Sequence, residues 1–219
     1  MDLIVLALIT FVASTVNGAL GYGFSSITVP VALLFYTNRI LNPALVLVEL
    51  VINGYVLFIN RKSIRNIWWR VAPILIGLVI GVAIGSYILS LVHPAWVKFV
   101  TYIMLLPLIL LQAAGIRKPI QAERAIAIPF GASIGTLYAV TTISGPPLAV
   151  LFNNQGYAKQ DFRAALGVIR VAEGVFTGIA YYVIGLYSYE SMAIIPYIIP
   201  SVLLGIPLGS YLIRLMDHE

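Results

Sequence analysis

Gly81-Val-Ala-Ile-Gly85-Ser86-Tyr87-Ile-Leu-Ser-Leu91 returns 124 residues later as Gly205-Ile-Pro-Leu-Gly209-Ser210-Tyr211-Leu-Ile-Arg-Leu215. Around both stretches the chain is almost wholly apolar: 61% of its 219 residues are hydrophobic and 10% are charged, with a mean hydropathy of +1.00. A soluble domain carries about 25% charged residues, so this composition places the chain in a bilayer. Two similar halves folded in lipid are a common design of membrane transporters.

About 20 apolar residues are needed to span the hydrocarbon core. Full-length candidates lie near 2–19, 40–60, 69–92, 96–114, 125–140, 162–186 and 190–215. Two further stretches, Tyr22 to Phe35 and Thr141 to Phe152, are too short, are bounded by glycine, and carry hydroxyl residues and proline. They are predicted to be broken or re-entrant helices, which survive at membrane depth only where protein covers the backbone or water reaches it. Asp2 precedes the first apolar run and no Lys or Arg does, so no cleavable signal is expected.

The duplication extends beyond the opening pair. Phe11-Val-Ala13-Ser14 matches Phe130-Gly-Ala132-Ser133, Ser25-Ser26-Ile27-Thr28-Val29-Pro30 matches Thr141-Thr142-Ile143-Ser144-Gly145-Pro146, and Ala32-Leu-Leu-Phe35 matches Ala149-Val-Leu-Phe152. The offset drifts from 119 through 116, 117 and 120 to 124, the pattern of homologous repeats with small insertions in turns. The expected fold is therefore all-α and polytopic, a single transmembrane transporter domain over 1–219. Repeat one spans 1–92, repeat two spans 125–217, and the linking helix 96–114 turns the second repeat upside down relative to the first.

Orientation follows from the basic residues. If the loop holding Arg61, Lys62, Arg65 and Arg70 is cytoplasmic, ten basic residues fall inside and only Arg39 and Lys98 outside. That count predicts an outside N-terminus and a cytoplasmic C-terminus in a plasma membrane of the bacterial inner-membrane type. Trp68 and Trp69 beside this loop fit an interfacial aromatic belt. The net charge of +5 is thus a topology signal, and no nucleic-acid partner is implied. With no cysteine, and with His93 and His218 far apart, neither metal site nor cofactor is expected. No nucleophile–base set falls at membrane depth, so an enzyme is not expected either.

Inverted repeats with broken helices place a substrate site where the breaks meet. Its predicted walls are 17–30 and 136–147. Asn17, Tyr22, Gly23, Ser25, Ser26 and Thr28 supply amide, backbone and hydroxyl groups on one side, and Thr136, Tyr138, Thr141, Thr142, Ser144 and Gly145 on the other. Glycine lets backbone N–H groups approach a ligand, and a helix N-terminus presented this way favours anions. Small and hydroxyl residues serve close helix packing equally well, and that is the better reading of Gly81, Gly85, Gly205 and Gly209, which also permit a homodimer.

Glu49, Arg170 and Glu173 are ionisable residues inside spanning stretches, where each costs roughly 2.5–3.5 kcal/mol on insertion scales. Arg170 and Glu173, three residues apart, are placed to pair on one helix face. At an offset of 120 Glu173 matches Asn53, one turn past Glu49. Either carboxylate is a candidate for exchanging a coupling proton. Arg163, which follows Asn153-Asn154-Gln155, either reaches the headgroups or pairs bidentately with an oxyanion.

Asn17-Gly-Ala-Leu-Gly21-Tyr-Gly23-Phe24 leading to Val29-Pro30, Ser144-Gly145-Pro146-Pro147-Leu-Ala-Val-Leu, and Phe162-Arg163-Ala-Ala-Leu166 resemble the TauE/SafE family of sulfite and organosulfonate exporters, with Tyr22 where Phe is commoner. The resemblance implies a plasma-membrane carrier for small sulfur-containing anions. Substrate would be held by Asn17, Tyr22, Gly23, Ser25, Ser26, Thr28, Tyr138, Thr141, Thr142, Ser144, Gly145 and Asn153, with Arg163 or Arg170 adding positive charge. A passive anion channel would use the same segments without saturation. A structural subunit would pack Ser25, Thr28, Thr141 and Ser144 against neighbouring helices with no space between.

Overall fold

The computed structural model describes residues 2–113 and 123–216, so Arg117 and Lys118 of the topology argument lie outside the described residues. All of the regular structure described is helical. The elements are α1 (Asp2–Leu20), α2 (Phe24–Ala32), α3 (Asn38–Ile59), α4 (Ile64–Leu91), α5 (Pro94–Ala113), α6 (Glu123–Thr141), α7 (Gly145–Asn154), α8 (Lys159–Ile184) and α9 (Tyr189–Met216). Five described spans are long and apolar enough to cross a membrane: Asp2–Leu20, Asn38–Ile59, Arg61–Leu91, Gln160–Ile184 and Tyr189–Ile213. Shorter apolar stretches run over Pro94–Leu105 and Ile126–Thr141. Large apolar side chains such as Val51, Trp69, Tyr182 and Val183 face outward, as lipid allows and water does not.

The glycines explain which helices meet. A Cβ on Gly77, Gly81 or Gly85 of α4 would collide with backbone at Ile128, Ala132 or Thr136 of α6, and one on Gly131 or Gly135 of α6 would strike Ile74 or Leu78 of α4. Thr136 Oγ1 donates to Gly81 O across this seam at 3.1 Å. The second seam joins α1 to α9, with Gly205 against Ser14, Gly209 against Thr15 and Gly18 against Ile206. Its polar ties are Ser201 Oγ to Ala7 O at 2.8 Å and Ser14 Oγ to Ser201 O at 3.0 Å. In both seams residue numbers rise together, so the paired helices run parallel. Where glycine removes the side-chain spacer, two backbones approach closely, and dispersion and hydroxyl contacts replace the hydrophobic effect that lipid does not supply. These glycine faces are covered within the chain, so they offer no surface for the homodimer they were expected to permit.

Apolar packing forms two large cores along this division, and a third, around Val46, Leu89, Val97, Tyr138 and Tyr181, draws on α3, α4, α5, α6 and α8 together. One core gathers α1, α2, α3 and α9 around Leu6, Phe24, Leu45 and Ile198, and another gathers α4, α6, α7 and α8 around Ile67, Leu78, Leu148 and Ile169. Each group thus keeps three helices from one half of the chain and takes the fourth from the other half. The groups meet along α3 and α8, which run antiparallel: Gly167 lies on Leu57, Gly174 on Leu50 and Gly178 near Val46.

The two short segments are half-helices that double back. α2 has 9 residues and α7 has 10, about 14–15 Å each at 1.5 Å per residue, half of a bilayer core. Before α2, Gly21 and Gly23 take φ of 86° and 108°, left-handed values open to glycine, and this reverses the chain. Before α7 the reversal falls on Thr142 at φ 58°, followed by prolines in the first turn, whose fixed φ is already helical.

Candidate functional site

Ending a helix at membrane depth leaves carbonyls without partners. At the end of α6, Asn42 Nδ2 donates to Val140 O at 2.7 Å, Asn38 Nδ2 adds a 3.4 Å contact to the same oxygen, and the Tyr181 hydroxyl donates to Ala139 O. At the end of α1, Arg163 Nη2 donates to Ala19 O at 3.2 Å. This guanidinium therefore caps a helix in the structure, a use that neither the headgroup nor the oxyanion reading of the sequence foresaw.

With those ends satisfied, the N-termini of α2 and α7 are brought to mid-depth against α3 and α8. Ser25 Oγ, in the first turn of α2, donates to Glu49 Oε1 at 2.7 Å. Ser144 Oγ, at the residue preceding α7, donates to Glu173 Oε2 at 2.6 Å. Between them Arg170 Nη2 reaches Glu49 Oε1 at 2.7 Å, and the Tyr138 hydroxyl donates to Glu49 Oε2 at 3.0 Å. The guanidinium also lies beside the start of α7, since a Cβ on Gly145 would stand 3.0 Å from Arg170 Nη1 and 3.4 Å from Tyr22 Cδ2. The ion pair thus forms between α8 and α3, where the sequence spacing had suggested Arg170 with Glu173 on one helix.

Ser25, Glu49, Tyr138, Ser144, Arg170 and Glu173 are all buried, the side chains of the Arg170–Glu49 pair to 3% and 1% exposure. Two carboxylates and one guanidinium leave one negative charge in excess if all are ionised. Glu49 is surrounded by three donors, while Glu173 has Ser144 on one oxygen and no partner on Oε1. Removing charges from water costs several kcal/mol per ion, and only close donors offset it, so the two carboxylates are held on unequal terms.

The remaining predicted residues fall into four groups. Gly23 caps α2, and Tyr22 packs edge-on to Phe162 with ring centroids 6.4 Å apart. Thr141 and Thr142 turn onto the local backbone, Thr141 Oγ1 to Leu137 O at 2.7 Å and Thr142 Oγ1 to Thr141 O at 2.6 Å. Asn17 and Thr28 are buried, and Asn17 Nδ2 and Thr28 Oγ1 have no partner. Ser26 is half-buried, and Asn153 is exposed at the far end of α7, away from the N-terminus that meets the cluster. Apolar grooves of about 460 and 510 Å³ flank α3, one toward α9 and one toward α8, and none of the predicted residues lines either.

One relation escaped the sequence argument. The paired hydroxyl–carboxylate contacts align Glu49 with Glu173, an offset of 124 and not 120. At that offset Glu49-Leu-Val-Ile-Asn53-Gly54 reads against Glu173-Gly-Val-Phe-Thr177-Gly178. The offset was already present in the Gly81/Gly205 pair.

Comparison with curated proteins and with solved structures gives no match. A model of the sulfite exporter TauE/SafE family matches residues 6–219, essentially the whole chain, and the protein therefore belongs to that family of membrane transporters.

Proposed function

We propose that this protein is a secondary carrier that exports small sulfur-containing anions, sulfonates or sulfite, by alternating access, with a proton as the coupling ion. The observation that carries the reading is the placement of Arg170: a buried guanidinium at the N-terminus of α7, paired with a carboxylate whose other donors include a hydroxyl from the N-terminus of α2. Helix N-termini and guanidinium all favour an anion at this point. Glu49 fills that role in the substrate-free protein. An entering oxyanion competes with Glu49 for Arg170, and a proton taken up by Glu173 removes the excess negative charge that would repel it.

A subunit with only a structural role also accounts for the way Ser25 and Ser144 pack on neighbouring helices. It gives no reason for burying Glu49, Arg170 and Glu173, because apolar residues of similar volume are often as stable or more so. A carrier role supplies that reason.

The helix directions support two inverted repeats, 1–92 and 125–217, joined by a linking helix at 96–114. α3 opposes its counterpart α8, while α1 runs with α9 and α4 with α6, as nine stretches that alternate in direction require. The same alternation fits an outside N-terminus and a cytoplasmic C-terminus. The moving bodies are then the two packed groups, each containing one exchanged helix, and they rock along the α3–α8 contact that the Arg170–Glu49 bridge closes.

Proteoliposomes loaded with sulfoacetate or sulfite test this reading. Labelled external anion should enter by saturable counterflow. Flux that grows linearly with concentration would make the protein a passive channel, and no flux across a panel of sulfonates and inorganic sulfur anions would overturn the proposal.

A further inference from the structure

One turn past each membrane glutamate, on the same helix face, the chain carries a second polar side chain followed by glycine: Asn53-Gly54 on α3 and Thr177-Gly178 on α8. Asn53 is 2% exposed and Thr177 is fully buried, and neither Asn53 Nδ2 nor Thr177 Oγ1 has a hydrogen-bond partner. Buried donors are nearly always matched, so each exception asks for an explanation. Here the exception recurs at the corresponding position of two antiparallel helices. The α3–α8 register, with Gly167 on Leu57 and Gly174 on Leu50, sets Asn53 level with Arg170, whose Nε is also without a partner. On the mid-depth faces of α3 and α8 the unmatched groups are therefore these three donors and one acceptor, Glu173 Oε1.

We propose that Asn53 and Thr177 are specificity-determining residues of the anion site, donating with Arg170 Nε to the three oxygens of a sulfonate or sulfite group. The assignment rests on the carrier reading above and deepens it. Three donors suit a group with three acceptor oxygens. A carboxylate of the same chain length has two and leaves one donor unmatched, so the site discriminates by number of oxygens and not by charge alone. Buried polar groups left unpaired by the wrong ligand are an effective means of rejection.

The test uses Thr177→Val, which keeps shape and removes the hydroxyl, and Asn53→Leu. Two readouts apply: concentration-dependent counterflow of ethanesulfonate and propionate in proteoliposomes, and thermal unfolding of the purified substrate-free protein. Each variant should raise the KM for ethanesulfonate about tenfold, the value of one hydrogen bond to a charged group, and leave that for propionate nearly unchanged. Thr177→Val should unfold at or above the wild-type temperature, because it deletes an unmatched polar group. A drop of several degrees would show that the hydroxyl is bonded within the protein and would overturn the assignment. So would wild-type transport with ethanesulfonate KM values within about twofold in both variants. Absence of transport by the wild type would instead overturn the carrier reading, and this assignment with it.

Discussion

The two chain reversals do the same job with different chemistry. Before α2 the turn is made by Gly21 and Gly23, and the hydroxyl it presents, Ser25, joins a carboxylate already held by Arg170 and Tyr138. Before α7 the turn is made by Thr142 in a left-handed conformation, and the hydroxyl it presents, Ser144, is the single donor on a carboxylate with one open oxygen. The first reversal is relaxed and leads to a closed set of contacts; the second is strained and leads to an incomplete one. The two half-helices thus differ in what they meet: a latch of three donors at Glu49 and an incompletely matched carboxylate at Glu173.

The largest expected effect comes from opening the latch. Arg170→Met leaves Glu49 buried without its counter-charge and should destabilise the protein by about 3–5 kcal/mol, whereas Glu49→Gln combined with Arg170→Met should recover most of that loss. Chemical unfolding of the purified variants measures both. The glycine seams come next. Gly81→Leu or Gly205→Leu forces apart a parallel pair whose backbones touch, at about 1–3 kcal/mol, while Gly54→Ala, which meets nothing within 4 Å, should be tolerated in the same chemical unfolding measurement. The smallest effects separate the two reversals themselves. Thr142→Gly should raise stability by about 1 kcal/mol by relieving the left-handed residue, and Gly21→Ala should lower it by a similar amount. A loss of stability in Thr142→Gly would show that the second reversal is held by its side chain and is not strained.

Much of this was legible in the sequence. Apolar length gave the seven long helices, with observed ends within about five residues of those read from it, although only five of the described spans are long and apolar enough to cross a membrane, and glycine with proline and hydroxyls gave both half-helices. The Gly-Ser-Tyr repeats read as packing, and Gly81, Gly85, Gly205 and Gly209 do lie in helix seams. Which helix each seam joins was not legible, because α1 meets α9 from the other end of the chain and lipid-facing composition carries no record of such partners. The same blindness misassigned the ion pair: a spacing of three residues reports what a helix permits, while Arg170 found a better-supported carboxylate across the interface. The offset of 124 was visible but masked, since Val, Ile and Leu interchange freely in lipid and only Glu, Gly and Tyr fix a register.

The central claim is that the Glu49–Arg170–Glu173 cluster is the transport site and that its incomplete half handles the proton. It is tested most directly by counterflow and net flux of labelled sulfonate in proteoliposomes carrying wild-type protein or the Glu173→Gln variant, with and without an imposed pH gradient. The account predicts that wild-type net flux follows the gradient, and that Glu173→Gln retains saturable counterflow but no longer responds to it. Net flux in Glu173→Gln that keeps its full dependence on the pH gradient would contradict the account.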